Sequence, residues 1–167
     1  LEEAENNAKK ALYESKKLNS IYGITGSLWY LNQICTSQNR FDEGLAYLYQ
    51  ALEFSEKAQD TLGAAMSSYM IGHQYYNTSK IDTALVFFTK ALFGYKAIGQ
   101  KKREAMALHA IAAVYDELGD LLMAVKLNIQ ALALYEELRD IDGIELALHN
   151  IAGNYGDSKN YEKVSNN

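Results

Sequence analysis

Apolar and small residues fall along this chain at helical spacing, and the stripe they form returns every 40 residues. Between Gly63 and Gln100 the first half carries Ala64, Ala65, Ser68, Ile71, Gly72 and Tyr75, a three-and-four spacing that predicts a helix with one buried face. Asn77-Thr78-Ser79-Lys80, a run of turn formers, ends it. Asp82 is then expected to cap a second helix, with Ala84, Leu85, Phe88, Ala91, Leu92 and Tyr95 on one face and Gly99-Gln100 at its close.

The same helix, turn, helix pattern fits residues 23–62, with turns at Gln38-Asn39-Arg40 and near Asp60. It fits residues 103–142 as well, with turns at Leu118-Gly119-Asp120 and Arg139-Asp140. Ala51, Ala91 and Ala131 hold one register, each followed by leucine, as do Tyr75, Tyr115 and Tyr155, and Leu31, Ile71, Ile111 and Ile151. Gly23, Gly63 and Gly143 open successive units, with Arg103 in the remaining slot. A fixed period of this length marks a solenoid, whose units bury their apolar faces only by stacking on one another.

The chain therefore reads as a single array: 1–22 as the second helix of a truncated repeat, three repeats over 23–62, 63–102 and 103–142, and a truncated repeat over 143–167. In the last, a first helix over 143–157 is expected to end at Ser158-Lys159-Asn160, with a second beginning at Tyr161-Glu162-Lys163. No strand is expected. Opening at Leu1 and closing in mid-repeat, the sequence reads as a piece of a longer protein. Ala51, Ala84, Ala91, Ala124 and Ala131 mark the crossings where helices approach closely. Asn128 stands where the two earlier repeats have Leu48 and Phe88, so it needs a hydrogen-bond partner once buried.

Composition narrows the function. Proline is absent, so Gly, Asn, Asp and Ser must make the turns. A net charge of −5 argues against a phosphate-binding surface, and hence against a nucleic-acid partner. The one basic cluster, Lys101-Lys102-Arg103, falls at an inter-repeat turn and reads as solvated loop. A single cysteine, Cys35, excludes an intrachain disulfide. No apolar run is long enough to span a membrane and no signal peptide is seen, so the compartment stays open between cytoplasm and periplasm.

The register resembles the tetratricopeptide repeat, through Ser68…Ile71-Gly72…Tyr75, Leu108…Ile111-Ala112…Tyr115 and Leu148…Ile151-Ala152…Tyr155. The second helices match in Ala84…Phe88…Ala91 and Ala124…Asn128…Ala131, and Leu28…Leu31-Asn32…Cys35 with Gly44…Leu48…Ala51 is a looser copy. The period is longer than the usual 34 and the closing proline is missing. That variant is known from bacterial regulators, sensor kinases and eukaryotic polarity adaptors. The resemblance implies a right-handed all-α solenoid of stacked antiparallel helix pairs, whose first helices line a concave groove. It implies that Trp29, Tyr69, His109 and His149 share a groove slot away from the packing stripe. Gln33 and His73 would follow one turn later, and Thr36, Tyr76 and Asp116 one turn beyond.

Neither Gly23–Ser37 nor Gly63–Ser79 contains Asp, Glu, Lys or Arg, so the groove lacks the basic clamp that holds a C-terminal carboxylate in chaperone-binding members. The expected ligand is an uncharged aliphatic or aromatic protein segment, basic only near Asp116, Glu117 and Glu145. His109 and His149 occupy equivalent slots, but a metal would need further ligands and only His73 or Asp116 is near, so no metal or cofactor is expected. Cys35 lacks a nearby histidine, and no phosphate loop, H-E-x-x-H or G-x-S-x-G motif occurs, so no enzyme is expected. The expected function is a non-catalytic protein- or peptide-binding scaffold. The alternative is a sensory, spacer or dimerising region of a bacterial signalling protein. The unstacked end helices also predict self-association.

Overall fold

The computed structural model describes residues 2–165, with side chains described for residues 2–156. Those residues form eight helices: α1 (Glu2–Lys17), α2 (Ile21–Ser37), α3 (Phe41–Lys57), α4 (Thr61–Asn77), α5 (Ile81–Ala97), α6 (Lys101–Glu117), α7 (Leu121–Leu138) and α8 (Ile141–Ser165). The links are three residues long or shorter, which obliges successive helices to run antiparallel. The described residues contain no strand.

One turn device, used seven times, sets the period. A residue with positive φ recurs every 20 positions, at Asn19, Asn39, Gln59, Ser79, Gly99, Gly119 and Arg139. The amide of the residue after it reaches back to the carbonyl five positions earlier. Arg40 donates to Cys35 at 2.8 Å, and Asp60 to Ser55, Lys80 to Tyr75 and Asp140 to Tyr135 each at 2.9 Å. This Schellman closure satisfies carbonyls that the helix end would otherwise leave open. The same residue then caps the next helix, and Ser20, Asp60 and Asp120 accept the amides of Gly23, Gly63 and Met123 at 3.2, 3.0 and 3.0 Å.

Two details differ from the sequence reading. Asp82 does not cap α5, because the helix starts at Ile81 and Asp82 lies in its first turn, where its charge complements the helix dipole. Lys80 takes the cap position and accepts the Ala84 amide on its carbonyl at 3.0 Å. The turn expected at Ser158-Lys159-Asn160 does not form, and α8 runs unbroken to Ser165, absorbing the second helix expected from Tyr161. Ser, Lys and Asn cost a helix only tenths of a kcal/mol each, roughly, and no proline stands there to break it.

The chain divides into two compact units between Gly94 and Tyr95. In the first, α2 packs on α1 and α3, α3 packs on α4, and α2 also reaches α4. Its core passes through Ala8–Leu31–Ile34, Ile24–Leu28–Ala51 and Leu48–Leu52–Ile71. In the second, α7 packs on α6 and on α8, burying Ile111, Val114, Tyr135 and Ala147. All five alanines expected at crossings, Ala51, Ala84, Ala91, Ala124 and Ala131, are fully buried. Gly72 allows one close approach: a Cβ there would stand 2.6 Å from the buried Phe88 ring.

Candidate functional site

In the first unit, α2 and α4 flank an open recess of about 400 Å³. Gln33 and His73 stand exposed at its rim, and Tyr69 is half-buried in its wall. Buried amides form its floor. Asn32 Nδ2 donates to Thr36 Oγ1 at 3.5 Å, Thr36 Oγ1 donates to Gln74 Oε1 at 3.5 Å, and Gln74 Nε2 donates to the Phe41 carbonyl at 3.2 Å. The His73 ring meets Tyr69 and Phe88 nearly perpendicularly, with centroids 4.6 and 5.0 Å apart, a favoured aromatic geometry. No carboxylate, lysine or arginine lines this recess.

Trp29 and Tyr76 lie outside it. The sequence reading sets Trp29 away from the packing stripe, whereas the structure half-buries it against both the Ile24–Leu28–Ala51 and the Leu48–Leu52–Ile71 clusters. Its indole N–H donates to the buried Ser67 Oγ at 3.0 Å. A ring of that size reaches past its own helix, so Trp29 ties α2 to α4. Tyr76 is half-buried on α4.

In the second unit, His109, Asp116 and His149 line one pocket of about 180 Å³. Asn128, expected to need a partner if buried, lies between His109 Nδ1 at 3.1 Å and Asn154 Oδ1 at 3.4 Å. Asn154 Nδ2 in turn donates to Asp116 Oδ1 at 2.6 Å. With the His109 hydrogen on Nδ1, that nitrogen donates to Asn128 Oδ1, leaving Nε2 to accept from Asn150 Nδ2 at 3.5 Å. Every bond from Asn150 onward then points its donor toward Asp116.

Asn150 and Asn154 escape the sequence reading. Their signal lies in the register, since Asn150 aligns with Ala110 and Met70, and Asn154 with Val114 and Ile34, although Gln74 puts a buried amide in the same slot. Among the described residues, no group of three or more His, Cys, Asp or Glu side chains is placed to hold a metal. Cys35 is buried, and burial pushes its thiol above the ordinary cysteine range, away from the reactive thiolate. No helix among the described residues is long and apolar enough to cross a membrane.

No family model matches the chain. A curated relative, the regulatory protein AfsR of Streptomyces griseus, is 28% identical over 116 residues, which are 70% of this chain and 12% of AfsR. The chain thus spans about an eighth of that relative's length. Among solved structures, BtubC (BKLC) from P. vanneervenii superposes with a TM-score of 0.85 at 17% identity, over 98% of this chain and 68% of that one. The STAND signal-transduction ATPase from Pyrococcus horikoshii, which has a tetratricopeptide repeat sensor, gives 0.80 at 21% identity, over 95% of this chain and 25% of that one. A Rap protein in complex with competence and sporulation factor gives 0.74 at 16% identity, over 96% and 55%. The fold is an all-α repeat of the tetratricopeptide type, as the register leads one to expect.

Proposed function

We propose that the chain is a non-catalytic binding module that takes an extended peptide or a partner's helix on its first helices. The observation that carries this is the recess between α2 and α4, which offers polar side chains and aromatic edges but no formal charge. Such a surface suits backbone amides and apolar side chains better than ions. Gln33, Tyr69 and His73 provide its contacts, Trp29 and Tyr76 are candidate contacts on the same helices, and His109, Asp116 and His149 are the candidate contacts of the second unit's own pocket. The Rap protein's complex with its factor supports the same reading. The test is selection of displayed peptides on the intact chain, then titration calorimetry with the Tyr69→Ala/His73→Ala variant. A loss of tenfold or more is expected, and undiminished binding would overturn the assignment.

The likeness to AfsR and to the STAND ATPase's sensor supports a second statement, that the module serves within a bacterial regulatory or signalling protein. Reading the coding sequence past both ends tests it. An ATPase, kinase or DNA-binding region there would support the sensor role, and an array of repeats alone would oppose it.

Self-association is also proposed, through the outer face of α8. Leu148 is 50% exposed, whereas its register mate Leu108 is 5% exposed. Light scattering should show a concentration-dependent dimer that Leu148→Glu abolishes. A concentration-independent monomer would reject it.

A further inference from the structure

We propose that the pocket of the second unit is a cation subsite, where Asp116 receives the charged end of an arginine or lysine side chain carried by the bound peptide. The inference rests on the peptide-binding reading above and adds a specificity to it. Its first support is the placement of an amide where the repeat otherwise uses hydrocarbon. Asn128 is 3% exposed, at a position filled by Leu48 and Phe88 in other repeats, while Asn154, 6% exposed, shares its slot with Ile34, Val114 and the buried amide of Gln74. The other repeats close the Asn128 crossing with apolar groups, so the fold does not require an amide there. Buried amides weaken a core unless they are fully paired.

The second support is direction. His109 donates to Asn128, Asn128 to Asn154 and Asn154 to Asp116, so three successive dipoles turn their positive ends toward one carboxylate. The arrangement holds Asp116 in one orientation, with Oδ1 engaged. Among the described residues, Oδ2 has no hydrogen-bond or ion-pair partner. Third, Asp116 is the only formally charged group lining the pocket, and no lysine or arginine lines it to neutralise that charge. His149 and Asn150 at the edge of the pocket supply donors and acceptors for the ligand's flanking amides. A guanidinium or ammonium head meets the open oxygen with a charge-assisted bond, which a neutral side chain cannot form.

The test is side-chain NMR of the intact chain with N-acetyl-arginine amide, N-acetyl-lysine amide and the uncharged N-acetyl-norleucine amide. Saturable shifts of the Asn150 and Asn154 amide groups and the His109 ring are expected with the first two probes only. Asp116→Asn should weaken them at least tenfold while leaving the backbone amide spectrum in place, since Asp116 is exposed and its replacement preserves the shape. Equal shifts from all three probes, no shift from any, or undiminished shifts in Asp116→Asn would overturn the proposal. Free arginine binding as well as the capped form would assign the pocket to a small-molecule cation and reject a peptide-borne one. Displayed peptides that depend on Tyr69 and His73 but not on Asp116 would sink the cation subsite while leaving the peptide-binding reading intact.

Discussion

The Trp29 indole N–H and the Ser67 hydroxyl meet at 3.0 Å across 38 positions of sequence, and the bond fastens α2 to α4. Ser67 is fully buried, so no water replaces the indole if it is lost. Trp29→Phe retains much of the ring packing but strands that hydroxyl, and should destabilise the chain by about 1–3 kcal/mol. Removing both partners in Trp29→Phe/Ser67→Ala should cost less than the sum of the single changes. Urea unfolding of the four species measures the coupling. Strict additivity would mean that the bond contributes nothing.

Two helical glycines should respond oppositely to the same substitution. Nothing lies within 4 Å of a Cβ built on Gly26, so Gly26→Ala recovers helix propensity and should stabilise by about 0.5–1 kcal/mol. At Gly72 the new methyl would stand 2.6–3.0 Å from three atoms of the Phe88 ring, which is itself buried and cannot turn away. Gly72→Ala should therefore cost about 1–3 kcal/mol. Thermal unfolding separates the two, and a stabilised Gly72→Ala would show that the α4–α5 crossing yields more readily than its geometry implies.

That contrast bears on what was legible beforehand. Helix crossings admit only small side chains, so Ala51, Ala91 and Ala131 carry the period openly, and the fold class follows from them. The left-handed turn positions are much less visible. Gly99, Gly119, Asn19 and Asn39 advertise theirs, while Gln59, Ser79 and Arg139 are held by the closing hydrogen bond rather than by local preference. The aligned slot of His109 and His149 does converge on one pocket, because equivalent positions of successive first helices face the same way. Trp29 shares that slot but packs inward, since slot alone does not say how far a large ring reaches. Asn150 and Asn154 stayed hidden because asparagine on a helix ordinarily reads as surface, and only comparison across repeats marks it as unusual.

Tyr49 should titrate late. Its hydroxyl lies 3.0 Å from that of Tyr75, and burial, followed by this hydrogen bond, pushes its pKa up from 10.0 to about 12. The neutral phenol is the form the folded chain favours. Its contribution to stability is therefore complete below the unfolded value of 10.0 and is lost as pH rises toward about 12. Absorbance at the phenolate band, compared between the native chain and Tyr49→Phe, isolates this group from the other tyrosines. Tm should fall less steeply above pH 10.0 in the variant. An ordinary titration of Tyr49 would disprove the pairing with Tyr75.

The amide network of the second unit should prove a burden on stability. Replacing Asn128 alone strands Asn154 and His109, so Asn128→Leu gains apolar burial but loses two partners and should change Tm little. Asn128→Leu/Asn154→Val restores at both sites residue types that the other repeats already use, with no buried amide left over. Exchanging both partners for hydrocarbon of similar shape is neutral to stabilising, and a gain of about 1–2 kcal/mol is expected. For a chain of this size that raises Tm by about 2–8 °C. Calorimetry on the single and double variants decides the matter. A double variant less stable than the native chain would show that the amides hold α7 and α8 together, and would remove the stability argument for a functional pocket around Asp116. A stabilised one would show that the fold is firmer without the network that orients Asp116.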